Sequence, residues 1–266
     1  MPQRKQKAMK RYAVGSGERA NKFMNRRKLL ALLGVTGLNM LGGHSHGNAG
    51  SREMAQRMVS CIVTPEQTEG PYFVDERLRR SDIRSDPSDG SVKEGLPLAL
   101  EIRVFTAEAG SGDGCNPLAN AIVDVWHCDA QGIYSDVMDE NFNTVGKKFL
   151  RGYQVTDENG SVRFITIYPG WYPGRTVHIH FKIRTDPRYR KPYEFTSQLY
   201  FDDSITDRVH AREPYSSHES KGTYSRRTRN EDDGIFRKGG NQLMLNLTET
   251  ANGYAATFDV GLAISG

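Results

Sequence analysis

The chain has 266 residues, 37% hydrophobic and 26% charged, which describes a folded domain with a sizeable core and excludes a disordered or multiply spanning protein. Its net charge of +4 misleads, because residues 1–50 carry ten Lys and Arg against one acid, Glu18, while the remaining residues carry 26 against 31. The basicity belongs to the leader, the body is mildly acidic, and nothing in the body argues for nucleic-acid binding.

The leader reads as an export signal. In "NRRKLLALLGVTGLNMLGG", Arg26 and Arg27 stand directly before an apolar stretch from Leu29 to Leu41 that is too short and Gly-rich to span a bilayer comfortably. It is similar to a bacterial twin-arginine signal, with a Sec signal or membrane anchor as the alternative and Met24 as a second possible start. The expectation is an exported protein, periplasmic or extracellular, with no stable membrane span in its mature form. Residues 1–50 would be signal and linker, and 51–266 a single domain. The linker "GGHSHGNAGS" carries His44 and His46, which shows how little a His-x-His spacing means alone.

Helical periodicity appears only around residues 52–60; beyond it, short apolar runs alternate with turn signals. "LPLALEIRVF" places Leu98, Leu100, Ile102 and Val104 on one face of a half-buried strand. "AIVDVWHC" alternates likewise. "RGYQVTDENGSVRFITIYPG" reads as a hairpin around Asn159-Gly160, and "VHIHFKI" and "TSQLYF" as two more strands. Residues 204–234 read as long loops, with the "SRRTRN" run, His210 and His218 solvated. "NQLMLNLTETANGYAATFDVGL" predicts a last hairpin around a second Asn-Gly pair. Strands this frequent, without interleaved helices, predict an all-β sandwich with long loops. Cys61, Cys115 and Cys128 allow one disulfide and one free thiol, and the spacing does not select the pair.

The chemistry concentrates in "GWYPGRTVHIHF". On a strand, His178 and His180 point the same way, so two imidazoles on one face could hold a metal. Tyr172 in the preceding turn and Tyr134 in "DAQGIYSDV" are the further donor candidates. A phenol binds only as phenolate, so a hard trivalent ion such as Fe(III) suits two phenolates and two imidazoles, whereas zinc favours His, Cys or carboxylate.

The body resembles the intradiol ring-cleaving dioxygenases, the family of protocatechuate 3,4-dioxygenase and catechol 1,2-dioxygenase, and looks closest to their single-domain exported branch. The resemblance runs from "TPEQTEGPYF" through "VDVWHCDAQGIYSDV", "FLRGYQVTDENGSVRF" and "TIYPGWYPGRTVHIHFKI" to "FTSQLYFDD". It implies a prealbumin-like β-sandwich around non-haem Fe(III), with Tyr134, Tyr172, His178 and His180 as ligands. Arg175 and Gln198 match the family's active-site arginine and glutamine, and Tyr172 the ligand that leaves the metal and takes a substrate proton. The implied reaction inserts both atoms of O2 into a catechol-type diol and yields a cis,cis-muconate-type diacid. The long helical dimerisation segment of catechol 1,2-dioxygenases has little room here, which leaves a homodimer open. His127 matches no ligand and reads as a residue that supports the ligands from behind or as a structural one. Tyr72, Asp136 and the Pro214-Tyr215 segment are candidates for choosing the substrate. Two other classes compete: a non-enzymatic prealbumin-like module binding carbohydrate or a surface, which needs none of these six residues, and a zinc hydrolase, for which no H-E-x-x-H is present.

Overall fold

The computed structural model describes residues 62–107, 115–185, 193–219 and 226–264. The predicted leader, the linker, the helical stretch at 52–60, Cys61 and the side chain of His218 lie outside these residues. Alternation decides the architecture. Leu98, Leu100, Ile102 and Val104 are all buried along β1 (Pro97–Ala107), and Val162 and Phe164 match them on β5 (Ser161–Ile167). β1 pairs antiparallel with β5 and β2 (Cys115–Pro117) and parallel with β9 (Gly253–Leu262), which forms a hairpin with β8 (Thr248–Thr250). This is the first sheet, of five strands.

The second sheet has the order β4-β3-β6-β7, from β4 (Arg151–Val155), β3 (Ile122–Trp126), β6 (His178–Arg184) and β7 (Glu194–Tyr200). Its inward residues Val123, Val125, Ile179, Phe181, Ile183, Phe195 and Leu199 share one core cluster with the inward residues of β1, β5 and β9. The all-β expectation therefore holds, as two sheets packed face to face. Among the described residues, no helix is long and apolar enough to cross a membrane.

Three local expectations change. The Asn159-Gly160 turn forms, with Asp157 Oδ1 accepting from the N–H groups of Asn159 (2.9 Å) and Ser161 (2.8 Å), but it is not a hairpin. Its flanking strands belong to different sheets, since β4 pairs with β3 and β5 with β1. Gly160, at φ 72°, lets the turn pass so close to β1 that a Cβ would stand 2.4 Å from the Val104 carbonyl oxygen. The region read as loops holds helices α1 (Asp203–His210) and α2 (Ser216–Glu219); Asp202 caps α1 by accepting from the N–H groups of Ser204 and Ile205. His210 is buried, donating from Nε2 to the Pro169 carbonyl (3.0 Å) and stacking on Tyr215. Arg227 of the basic run is also nearly enclosed, paired with Asp203 and Asp207 of α1. Cys115 is disulfide-bonded and Cys128 is a free, buried thiol.

Candidate metal centre

Strand register assembles one side of the site. His180 lies opposite Trp126 of β3 and Gln198 of β7, and Trp126 opposite Arg151 of β4, so Arg151, Trp126, His180 and Gln198 form a row across the outward face of the second sheet. The His180 ring stacks on Trp126, with centroids 4.8 Å apart and planes 5° apart. His178 is the next outward residue on β6, facing Tyr200.

Two turns bring the phenols. After β3, Asp129 Oδ1 accepts from the N–H groups of Gln131 (2.9 Å) and Ile133 (3.0 Å), reversing the chain so that Tyr134 points back. Gly132 is required there: φ is 76°, and a Cβ would stand 2.1 Å from the Trp171 carbonyl oxygen of the loop carrying Tyr172. That second loop turns at Tyr172-Pro173-Gly174-Arg175, Gly174 having φ 85° and Arg175 N–H reaching back to the Tyr172 carbonyl.

Four atoms converge. Nε2 of His178 lies 3.0 Å from Nε2 of His180, 3.2 Å from the Tyr172 hydroxyl and 3.5 Å from the Tyr134 hydroxyl. Nδ1 of His178 sits 2.6 Å from the Thr176 carbonyl, which can only accept; Nδ1 therefore carries the hydrogen and Nε2 the lone pair. One lone pair cannot satisfy three neighbours through hydrogen bonds. Donors bound about 2.1 Å from one metal ion stand about 3.0–3.5 Å from each other at angles of 90–110°, which is the spacing seen. The residues present thus fit a shared cation.

The electrostatics agree. Burial holds His178 down to about 3 and His180 well below its ordinary value, so both imidazoles stay neutral and able to ligate. Burial pushes both phenols up, with the Arg175 guanidinium opposing. Phenolates in such a place need a strong positive centre beside them. Among the described residues, no group of three or more His, Cys, Asp or Glu is arranged to hold a metal, so the donors gathered here are phenols and imidazoles.

Arg175 and Gln198 are also brought together: Arg175 Nη2 donates to Gln198 Oε1, whose amide Nε2 donates to the Thr68 carbonyl (2.8 Å). Tyr72 stacks on Tyr134 (centroids 4.6 Å apart), stands edge-on to Tyr172 and donates to Asp139 Oδ2 (2.8 Å); burial and Asp139 push its hydroxyl up to about 12. Asp136 instead accepts from Gly146 N–H (2.7 Å) to close its own loop. Tyr215 is buried in the main core, donating to the Tyr168 carbonyl. His127 is buried between the sheets, as expected of a structural residue. Sequence reading missed Asp233 and Tyr200. Asp233 binds Arg175, and Tyr200 donates to Gln67 Oε1 (2.6 Å) with Gln198 Oε1 3.0 Å away. The one signal for Tyr200 was its register opposite His178.

The dioxygenase family model matches residues 68–232, more than half of the chain. The beta chain of protocatechuate 3,4-dioxygenase from Burkholderia cepacia is 36% identical over 109 residues, 38% of this chain and 46% of that one. Catechol 1,2-dioxygenase from Acinetobacter baylyi is 30% identical over 145 residues, 47% of this chain and 43% of that one. The chain spans less than half the length of these two curated relatives. An intradiol ring-cleavage dioxygenase from Tetranychus urticae superposes with a TM-score of 0.63 at 31% identity, covering 76% of this chain and 95% of that one. The dioxygenase domain of a carbohydrate-binding fusion from Streptomyces sp. SirexAA-E gives 0.51 at 28% identity, covering 77% and 100%.

Proposed function

From the premise that the chain belongs to the intradiol ring-cleavage dioxygenase family, we propose that it uses non-haem Fe(III) to cleave a catechol-type diol between its hydroxylated carbons. Both atoms of O2 enter the product, a cis,cis-muconate-type diacid. The observation that carries this is the convergence of Tyr134, Tyr172, His178 and His180 around one point. Fe(III) held by Tyr134, Tyr172, His178 and His180 would supply Lewis acidity toward the two oxygens of a catechol-type diol.

The protein's own part divides by burial. Tyr134 is 1% exposed and stacked under Tyr72, which suits a ligand that stays. Tyr172 is half-buried in a turn, which suits the ligand that yields its place and takes a substrate hydroxyl proton on its Oη. Arg175, joined to Gln198, would face the negative charge that develops on ring and oxygens. The two sheets would form the prealbumin-type sandwich that the resemblance implies. We also place the protein outside the cytoplasm, its leader removed from a catalytic domain over 51–266. Supporting this are the twin arginine and the Cys115 disulfide, a bond that persists in oxidising compartments.

Iron content and the visible spectrum test the proposal. The expected result is one Fe(III) per chain with a broad phenolate charge-transfer band, shifted by anaerobic catechol, and O2 uptake with at least one member of a catechol panel. Protein that stays colourless after Fe(III) loading would overturn it in favour of a non-enzymatic binding module.

A further inference from the structure

Arg175 is gripped by a residue 58 positions further along the chain. Asp233, with a side chain 1% exposed, uses both carboxylate oxygens. Oδ1 accepts from the N–H groups of Ile235 (2.7 Å) and Phe236 (3.2 Å), closing Asp233's own turn. Oδ2 accepts from Arg175 Nε (2.8 Å) and from the N–H of Thr176 (2.9 Å), two residues before His178. The turn is fixed on two further sides. Asn230 accepts from the Thr176 hydroxyl (2.6 Å) and donates to the Phe201 carbonyl (2.8 Å), while Arg227 and Arg229 pair with Asp203 and Asp207. With Nε on Asp233 and Nη2 on Gln198, the planar guanidinium is pinned at two nitrogens and cannot rotate without breaking one contact. Asp233 stands one residue beyond the stretch that the family model matches.

We propose that Asp233 is a positioning residue, which fixes the plane and direction of Arg175 and thereby sets how well the site stabilises the charge developing on a bound catechol. A carboxylate serving only its own turn would need Oδ1 alone; the second oxygen is aimed at Arg175 and at the backbone leading into His178. Burial matters as well, because a buried guanidinium without its carboxylate would swing toward other acceptors or water. The inference rests on the catechol-cleaving reading above.

A double-mutant cycle on the iron-loaded full chain tests it, with catechol as substrate and O2 uptake as the rate. Asp233→Asn keeps size and loses charge. It is expected to lower kcat per bound iron about 10–100-fold in the folded protein, with KM and anaerobic calorimetric Kd for catechol nearly unchanged; Tm falls, since a buried ion pair loses one partner. In an Arg175→Ala background the same change is expected to cost less than about twofold, because its effect runs through Arg175. Equal losses in both backgrounds, or no loss in either, overturn the inference. Should Asp233→Asn fail to fold, Arg175→Lys decides: it keeps the charge without the fork, and a kcat within about twofold of wild type overturns the inference. If wild type does not turn over catechol, the cycle is run with the panel member it turns over fastest; a wild type that turns over no member of the panel fails the functional reading and this one with it. An active wild type whose Asp233→Asn twin is equally active sinks this one alone.

Discussion

The sheet built on β1 turns Glu101, Arg103 and Arg163 outward, where Arg163 pairs with Glu101 and Arg103 with Asp259 within reach of water. The sheet built on β3 and β6 turns Arg151, Trp126, His180 and Gln198 outward and covers them. Residues 68–73 lie over that face, Gln198 donating to the Thr68 carbonyl and Phe73 packing on Trp126 at 4.8 Å. Lys182, also outward, is nearly buried between Glu69 and Glu194. β5 therefore alternates buried and exposed positions, while His178 to Ile183 of β6 are buried without a break. In such a strand the two faces divide the labour: odd residues build the core and even ones the chemistry.

The largest effect should come from splitting two neighbours on β6. His180→Ala is expected to cost iron retention and turnover by more than about 100-fold, since even residues that only support a ligand are worth about 10–100-fold. Phe181, one position on, faces the core against Phe195 of the neighbouring strand β7 and Phe258 of the opposite sheet. Phe181→Ala should destabilise by about 3–5 kcal/mol, read as a shifted urea midpoint, and leave activity per bound iron within about twofold in the folded fraction. A His180 variant that keeps its iron, or a Phe181 variant that folds normally but loses turnover per iron, would break the division.

His127 sharpens the comparison at the seam between the sheets. Its Nδ1 is 2.8 Å from the Cys128 carbonyl and its Nε2 2.6 Å from the hydroxyl of Thr166, on the opposite sheet. Burial holds its pKa down to about 4. As pH falls below 6.5 the unfolded chain takes up a proton that the folded one refuses until about 4, so stability is full above 6.5 and lost through that window. Between pH 7 and 5 the loss is about 2 kcal/mol. His127→Gln, which does not titrate, should flatten that slope in urea titrations of the iron-loaded protein. An unchanged slope would assign the acid sensitivity elsewhere.

How much of this was legible follows the range of each interaction. The period-2 run over Leu98 to Val104 is local, and it named the core face of β1 correctly. The His-x-His spacing gave the shared face of His178 and His180, but the two tyrosines were no more than donor candidates until the family resemblance selected them, because only the turns at Gly132 and Gly174 aim them. The Asn159-Gly160 pair announced a tight turn and said nothing about which strands would pair across it. Asp233 was illegible for the same reason: its bond to Arg175 spans 58 residues and depends on where α1 anchors the intervening chain. His210 was misplaced because the apolar spacing of Ile205 and Val209, which marks a packed helix, was passed over.

The outward face of the first sheet should respond least. Arg103 holds Asp259 through Nε and Nη2 at 2.5 and 2.7 Å, a bidentate pair of good geometry, yet its side chains are 21% and 33% exposed. Water and salt screen such a pair, so Arg103→Ala should cost no more than about 1 kcal/mol. Its sheet already has main-chain bonds to β5 and β9, which the substitution leaves intact. Iron content, visible spectrum and kcat should match wild type, and the small stability loss should shrink further in high salt. A change in the spectrum would mean that the two sheets are coupled through the core, and the clean assignment of chemistry to one outward face would have to be given up.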